Sequence, residues 1–528
     1  MEASSRNSAG IGHRPADLHS TGGCLGVTDE PSPAAVRGSV DLAISGAAFS
    51  RPVTTNSDDG ATTSRGDGPA PPARRRAPYP VSPNVGPEGI RAAQEMIDAA
   101  RRLFTERGYH DTSVQAIAAA TGRSDASFYQ YFQGKHELFR IFVEELGDEV
   151  VEHFERLPAL TDGEHGFARF RDWLAGLGQI LHSRSPVFVI WPMPDADEPA
   201  VENPSEPYFR QLTMLFDRQM TGADTAGLDS RALSIAVITL VEWAHVVLDT
   251  QRGRTEAPNP PDPIGGALHD TLAKMIHRAL FPSPAPARRA DPRTTSPRPV
   301  ARPDLHIPPR EQQHAGTATH PPTEPGLRRP ISRRAQPTIE RLATAAVTAF
   351  ERNGFAGTSV NDIAAAARVA HGTFYQYWTD RSAVFQTLAY RAAIQTCDHF
   401  DVLADVTTVE DLREWLSSWF DIVDRYGTVF HIWTTEIMKN PSLWPLWPLS
   451  RELRTYHEAV VAQLQERWDA PPGLDPSLAT VVLWTLLTEL PYNACRRQPV
   501  LGRDQVLNCQ LLLVLRGLLG AHLDSTVS

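Results

Sequence analysis

The stretch Ser127-Phe128-Tyr129-Gln130-Tyr131-Phe132 recurs in this chain as Thr373-Phe374-Tyr375-Gln376-Tyr377-Trp378. The flanking residues recur as well, always 246 positions later and without a gap, from Phe104 and Phe350 to Ala120 and Ala366. This period is far longer than the repeat of about 20 to 50 residues that builds solenoids. It therefore indicates a duplicated domain, and whatever the stretch does is done twice.

Composition limits the class of protein. The chain has 528 residues, enough for two or three domains, and it is 41% hydrophobic and 21% charged, as is usual for globular proteins. The net charge of −11 argues against general coating of nucleic acid, but it allows DNA binding through a local patch.

The cysteines and the hydropathy suggest a cytoplasmic protein. Cys24, Cys397, Cys495 and Cys509 are scattered, which predicts neither a zinc site nor a disulfide scaffold and fits a reducing compartment. The sequence has no apolar run of about 18 residues and no signal peptide at its start. We expect a soluble, cytoplasmic protein without a metal or another cofactor.

Local patterns around the first copy predict a helix-turn-helix. An apolar stripe from Ile90 to Phe104 indicates a first helix, Thr112-x-x-Gln115 has the form of a capping box for a second, and Ser124 can cap a third. A long amphipathic helix then begins near Lys135. Two short helices joined by a glycine-containing turn are typical of this DNA-binding motif. Four aromatic side chains are assigned to the core: Phe128, Phe132, Phe374 and Trp378.

These motifs resemble those of the TetR family of bacterial transcription regulators, whose pattern is roughly T-[TSV]-x-x-I-A-x-x-A-G-V-S-x-G-x-F-Y-x-[YH]-F-x-x-K-x-x-L. The first copy matches it at Thr112, Ile117, Ala118, Gly122, Ser124, Phe128, Tyr129, Tyr131, Phe132, Lys135 and Leu138. The second matches it at Thr358, Ile363, Ala364, Gly372, Phe374, Tyr375, Tyr377, Trp378 and Arg381. The resemblance implies an all-α fold with two TetR-like units, each a three-helix DNA-binding domain followed by a helical bundle for effector binding and dimerisation. Because it carries both units in one chain, the protein is similar to the tandem regulators of actinobacteria.

The resemblance and the composition together predict the domain limits. Residues 1–87 are expected to be a disordered tail, and residues 282–335, rich in proline and arginine, a linker. The tail contains Arg74-Arg75-Arg76. We favour the interpretation that this run is solvated; the alternative is a basic arm that contacts DNA. The predicted helix-turn-helix domains are 88–136 and 336–382, and the predicted effector domains are 137–281 and 383–523.

The predicted DNA contacts divide between bases and phosphates. Gln130 and Gln376 can each form a bidentate pair with adenine in the major groove. The resemblance implies that the tyrosines and Lys135 reach phosphates, with Arg381 in the place of Lys135 in the second copy. Alternatively, one tyrosine of each pair packs under the next helix. The full predicted set is Thr112, Ser113, Arg123, Asp125, Ser127, Tyr129, Gln130, Tyr131, Lys135, Thr358, Ser359, His371, Thr373, Tyr375, Gln376, Tyr377 and Arg381.

The copies also depart from the family pattern. The first has Asp125, which is costly beside phosphates unless it accepts from cytosine N4. The second has Arg368 where the turn glycine normally lies and Ala370 where serine normally caps. Arg368 either strains the turn or contacts a phosphate. We therefore expect two domains that read different half-sites, with one degenerate domain as the alternative.

Aromatic residues in the helical regions suggest a pocket for an apolar, lipid-like effector, although any one of them is more often plain core. The predicted pocket residues are Trp173, Phe188, Trp191, Phe216, Trp243, Trp415, Trp419, Phe430, Trp433 and Trp484. Glu242 and Glu489 interrupt apolar helices and either anchor a ligand or lie at a bundle interface.

The most consistent function is therefore a repressor that binds double-stranded DNA and is released by a small apolar effector. The apolar segments 229–252 and 263–281 are expected to pair with 476–496 and 502–523, which makes a pseudo-dimer within one chain on an asymmetric operator. The chain would then be monomeric or a weak homodimer. The alternative is an interaction protein in which one degenerate unit serves only for pairing or ligand binding. No motif of an enzyme is found.

Overall fold

The computed structural model describes residues 86–107, 109, 112–183, 205–252, 263–282, 300–303, 305, 324–329, 332–403, 405–437, 440–497 and 500–521. These residues belong to one compact unit, Ala73–Ser528. The predicted tail with its arginine run, the pocket residues Phe188 and Trp191, and most of the linker lie outside the described residues.

All regular secondary structure in the described ranges is helical, so the all-α fold is confirmed. The first repeat contains α1 Pro87–Arg107, α2 Val114–Ala120, α3 Asp125–Phe128, α4 Lys135–Glu155, α5 Gly163–Ser183, α6 Glu206–Gln219, α7 Ser230–Arg252 and α8 Pro263–Leu280.

The second repeat contains α9 Gln336–Gly357, α10 Val360–Ala366, α11 His371–Phe374, α12 Arg381–Leu403, α13 Val409–Glu436, a 3-10 turn Pro441–Leu446, α14 Trp447–Arg467, α15 Pro476–Pro491 and α16 Arg503–Leu512. Short π-helical segments, Tyr492–Arg497 and Leu513–Leu518, follow α15 and α16. We call α1–α3 head 1 and α9–α11 head 2.

The short helices begin where side chains satisfy their free N–H groups. Ser124 accepts from the Ser127 N–H at 3.3 Å, and Ser359 and Asp362 form a capping box. The box predicted from Thr112 to Gln115 was wrong by one position, because Ser113 is the N-cap and accepts from the Ala116 N–H at 3.1 Å. Such a cap stabilises its helix by about 1 kcal/mol.

The core of each head forms around the aromatic residues of the repeated stretch. Phe128, Phe132, Phe374 and Trp378 are at most 1% exposed, which confirms their assignment to the core. Phe128 and Phe374 lie on the third helices, and their rings contact those of Phe132 and Trp378. Burial of this face fixes the short third helix, so that its other face points outward.

The two repeats pack on each other through their last helices. Helix α7 lies along α15, and α8 lies against Leu513–Leu518. We call this contact region the seam. Helix α7 is long and apolar enough to cross a membrane by length and composition alone, but 78% of its apolar window is buried. Its hydrophobicity is therefore accounted for by packing in the protein interior.

Polar contacts also cross the seam. The Thr250 hydroxyl donates to the Thr434 carbonyl at 2.6 Å, and Arg454 donates to the Gln251 carbonyl at 2.8 Å. At the other end, the 6% exposed Arg516 side chain lies 3.1 Å from the Asp224 carboxylate. These bonds join residues 184 to 292 positions apart, so they fix the relative placement of the repeats.

Candidate nucleic-acid interface and ligand cavities

Each head exposes its short third helix and the turn that follows. In head 1, Asp125 and Gln130 are exposed and Tyr129 is 51% exposed. In head 2, Gln376 is exposed and Tyr375 is 39% exposed. His371 is exposed as well, while Ser127 and Thr373 are half-buried. A helix that presents a few polar side chains in this way can enter a major groove.

The second tyrosine of each pair is in the core. Tyr131 is 8% and Tyr377 is 7% exposed, because the turn after the third helix directs them toward the protein interior. The alternative raised for the tyrosines therefore describes the structure, and the exposed candidates for a phosphate contact are Tyr129 and Tyr375.

The predicted DNA contacts of Thr112 and Thr358 need correction. Both residues are fully buried, and their hydroxyls donate to carbonyls at the end of the first helix: Leu103 at 3.2 Å and Ala349 at 3.1 Å. They tie the first helix to the second instead of facing DNA. Their neighbours Ser113 and Ser359 remain exposed at the helix N-termini.

Lys135 and Arg381 both anchor the start of the long helix to the end of the first. Lys135 Nζ donates to the Tyr109 carbonyl at 2.9 Å and lies 4.3 Å from the centre of its ring. Arg381 donates to the carbonyls of Ala356 and Thr358 at 2.6 and 3.0 Å. Both side chains are half-buried. Their binding of phosphate stays a prediction.

The two heads differ in charge. Arg123 of head 1 pairs with Glu95 at 2.6 Å, and the exposed Asp125 adds a negative charge beside it. In head 2, Arg368 is exposed and has a φ of +53°, close to the +68° of Gly122 at the matching position. The turn is thus the same in both heads, but only head 2 forms it with a residue that resists this conformation.

A first apolar cavity, of about 40 Å³, lies inside the first repeat. Trp173 and Phe216 line it as predicted, together with Phe154, Tyr208 and Glu242. Burial raises the pKa of Glu242 to about 7, because the charged carboxylate loses its hydration there. The carboxyl group can therefore accept a hydrogen bond from, or pair with, a group that enters the cavity.

A second cavity, of about 70 Å³, lies at the seam. The second repeat contributes Phe430, Trp433 and Trp484, all predicted, and α7 of the first repeat contributes Val247, Thr250 and Gln251. The cavity therefore belongs to both repeats. No pattern within one repeat could have shown this.

His457 also lines the seam cavity and was missed by the sequence analysis. It is 4% exposed, and burial lowers the pKa of its imidazole to about 3, so the ring is neutral. Its Nε2 atom has no hydrogen-bond partner among the described residues. The signal that could have found it is a lone histidine in the apolar stripe of α14.

Three predicted pocket residues line neither of these two cavities. Trp243 lies at the seam, where its ring meets that of His431. Trp415 and Trp419 stack on each other with ring centres 6.3 Å apart and donate to the carbonyls of His399 and Leu487. They are core residues of the second repeat. Glu489 is buried at the seam, with Oε2 3.0 Å from His431 Nδ1, so it is not an anchor in either cavity.

The heads coincide with matches to a known family. The family described as "Bacterial regulatory proteins, tetR family" matches residues 96–140 and 342–388. The HTH-type transcriptional repressor AcnR of Corynebacterium efficiens is 34% identical over 59 residues, which cover 11% of this chain and 31% of AcnR. The HTH-type transcriptional regulator BetI of Yersinia pestis is 29% identical over 119 residues, 19% of this chain and 60% of BetI. The matches thus span between about a third and three fifths of these curated relatives.

Solved structures give more distant likenesses. A TetR-family regulator from Syntrophomonas wolfei covers 35% of this chain and 93% of its own, with 13% identity and a TM-score of 0.28. The fatty acid degradation regulator FadR from Bacillus halodurans has the same coverage, with 18% identity and a TM-score of 0.27. Each aligns with about a third of this chain.

Proposed function

We propose that this chain is a TetR-family transcription regulator with the family's DNA-binding domain in tandem. It would be a cytoplasmic repressor that acts as a pseudo-dimer within one chain. Its two heads would bind the two halves of one operator. A small apolar effector would release it from DNA.

The observation that carries the pseudo-dimer is the packing of α7 and α8 on α15 and the Leu513–Leu518 segment. These are the apolar segments that would otherwise need a partner chain, since large exposed apolar faces invite association. Covalent linkage sets an effective concentration of roughly millimolar order. Pairing within the chain is therefore favoured over pairing between chains at ordinary protein concentrations.

The differences between the heads favour an asymmetric operator. Gln130 and Gln376 occupy matching exposed positions, but Asp125 is replaced by His371 and Ser127 by Thr373. A carboxylate can accept a hydrogen bond from cytosine N4. An imidazole presents different hydrogen-bonding groups to the base pair. The two half-sites should therefore share the base pair read by glutamine and differ beside it.

The seam cavity offers a route from effector to DNA. Its walls come from both repeats, so a ligand that enlarges it must shift α7 relative to α13 and α14. Such a shift changes the spacing of the heads, and a ligand that prefers the shifted form lowers the affinity for DNA by the same factor. Both cavities are small, so a long ligand must displace side chains as it enters.

The cavity linings suggest the chemistry of the effector. In the first repeat, Glu242 suits an apolar molecule with one cationic or hydrogen-bond-donating group. At the seam, His457 Nε2, which has no hydrogen-bond partner in the described part of the chain, suits an apolar molecule with one polar group. An unmade hydrogen bond in a buried site costs about 1–3 kcal/mol.

The test combines DNA capture with ligand binding. Fragments of the source genome bound by the full chain are sequenced, and the strongest fragment is footprinted. Two protected half-sites of unlike sequence support the proposal. A panel of apolar amines, alcohols and fatty acids is then screened for compounds that raise the thermal midpoint, and these should also weaken binding to that fragment. A stabilising compound that leaves DNA affinity unchanged would contradict the effector role.

One observation favours the alternative of a single working head. In head 2, Ala370 has no side chain with which to cap α11, and Arg368 holds the turn in a strained conformation. A degenerate head 2 would leave one protected half-site and a smaller dependence on salt, because fewer phosphates would be neutralised.

A further inference from the structure

Residues 324–329, which precede α9, are docked against head 2, and we call them the strap. Glu324 pairs with Arg391 at 2.8 Å, and the Pro325 carbonyl accepts from the Thr387 hydroxyl at 2.7 Å. The Arg328 N–H donates to the Tyr377 carbonyl at 2.8 Å. These three contacts hold the strap along α12 and the turn that follows α11, and none of them needs an arginine side chain of the strap.

Gly326 makes this path possible. Its φ is +85°, a conformation that other residues rarely adopt. A Cβ atom at this position would lie 2.0 Å from the Ala383 carbonyl oxygen, which is far inside van der Waals contact. The strap therefore approaches the backbone of α12 as closely as only glycine allows.

The docked strap places two arginines beside the turn that follows α11. Arg328 Nη1 donates to the Tyr375 carbonyl at 2.9 Å. Arg329 Nη2 lies 3.5 Å from Gln376 Oε1, and its guanidinium is 5.4 Å from the centre of the Tyr377 ring. Both arginines are exposed.

Neither contact neutralises the charge of these arginines, because the partners are a carbonyl and a neutral amide. Tyr375 and Gln376, which they touch, are among the exposed residues of head 2 that are predicted to contact DNA. Meanwhile Arg381, the cation that the family resemblance assigns to a phosphate, is half-buried and donates to carbonyls. The strap thus supplies exposed positive charge where Arg381 does not.

We propose that the strap is part of the DNA-binding surface of head 2 and that Arg328 and Arg329 bind backbone phosphates next to the bases read by α11. A guanidinium matches the geometry of a phosphate and keeps its charge at any relevant pH. Contacts of this kind set the position and the affinity of a head on the duplex, not its sequence preference. The inference rests on the proposed function, since it requires that head 2 binds DNA.

The test is a salt titration of the full chain on a fixed random-sequence duplex of about 30 base pairs, because phosphate contacts do not depend on sequence. For the double variant Arg328→Ala/Arg329→Ala, the slope of log affinity against log salt should fall by about two. Binding at about 0.1 M salt should weaken on the order of tenfold. Arg328→Lys/Arg329→Lys should keep most of the slope, because it keeps both charges.

Two further variants separate docking from charge. Arg302→Ala removes a cation from the same linker, but Arg302 pairs with Asp398 at 2.7 Å, which lies about 25 Å along α12 from Arg381. It should keep the wild-type slope. Gly326→Ala keeps every arginine and displaces the strap, so it should also weaken binding although the charge of the chain is unchanged.

The outcomes are distinguishable. A wild-type chain that fails to bind the duplex at low salt overturns the proposed function itself. A wild-type chain that binds, with the same slope in the double alanine variant, overturns the role of the strap alone. Tighter binding by the double alanine variant also overturns it, and would show that the strap shields head 2 from DNA.

Discussion

The ring of Trp243, on α7, meets the ring of His431, on α13, edge to face with their centres 5.1 Å apart. The contact joins the two repeats. His431 in turn stacks on Tyr492 at 4.6 Å and lies 3.0 Å from the carboxylate of the fully buried Glu489. An indole, an imidazole and a carboxylate are thus enclosed at the seam within a single chain.

The buried seam predicts how many chains associate in solution. At micromolar concentration the wild-type chain should sediment as a single chain, both alone and on a two-half-site operator, since pairing within the chain already covers the apolar helices. Analytical ultracentrifugation with and without labelled DNA measures this. A stable two-chain mass with a doubled footprint would place the functional pairing surface elsewhere.

The matching glutamines predict half-site specificity. Gln130→Ala should relax the preference at one base pair of one half-site, at a cost of about 1–3 kcal/mol there. Gln376→Ala is the matched control and should affect the other half-site. Selection from randomised duplexes measures both. An unchanged preference at every position for Gln130→Ala would remove that residue from base reading.

Lys135 allows a structural role to be separated from a phosphate contact. Lys135→Ala should lower the thermal midpoint, because the bond to the Tyr109 carbonyl is lost. It should also reduce the salt slope by about one if the ammonium reaches a phosphate in the complex. The control is Arg140→Ala, an exposed cation on the same helix that pairs with Glu144. A lower midpoint with the wild-type slope would make Lys135 purely structural.

The strained turn in head 2 predicts that removing the Arg368 side chain stabilises the protein. Arg368→Gly should raise the stability of the second repeat by up to about 1 kcal/mol, since a left-handed residue with a Cβ costs roughly that much. The reciprocal change Gly122→Ala, at the matching turn of head 1, should lose about 1 kcal/mol. Thermal denaturation measures both, and a shallower salt slope for Arg368→Gly would show that Arg368 also contacts phosphate.

The carboxyl group of Glu242, a half-buried residue that lines the first cavity, predicts a pH dependence. The pKa of Glu242 is raised from 4.5 to about 7 by burial, so the folded state holds the proton more tightly than the unfolded state. Below about pH 4.5 the group is neutral in both states and costs nothing. As the pH rises from there to 7 stability is lost, and above pH 7 the full penalty, about 3 kcal/mol, is present.

Glu242→Gln should therefore melt at a higher temperature than the wild type at pH 8 and at nearly the same temperature at pH 5. Glu155→Gln, a change at an exposed position of α4, is the control and should show no such difference. Equal melting of Glu242→Gln and the wild type at pH 8 would mean that Glu242 is hydrated in solution.

The amino-acid sequence by itself determined the fold class and the position of both heads. Short segments are enough to show helical periodicity, the helix caps at Ser124 and Ser359, and the apolar positions of Phe128 and Phe374. These features can therefore be recognised without a structure. The capping box predicted from Thr112 to Gln115 was also inferred from a short segment, and it was wrong by one position. Thr112 and Ser113 are adjacent residues that could each cap the helix. In the structure the Thr112 hydroxyl donates to the Leu103 carbonyl instead, which leaves Ser113 as the N-cap.

Only the tertiary structure decided which aromatic residues meet. Trp173 lines a cavity while Trp243 lies at the seam, although both occur in amphipathic helices. The seam cavity combines Thr250 with His457, and the strap places Arg329 beside Gln376. Each of these depends on contacts between segments tens to hundreds of residues apart. Periodicity shows which face of a helix is buried, but it carries no information about what lies against that face.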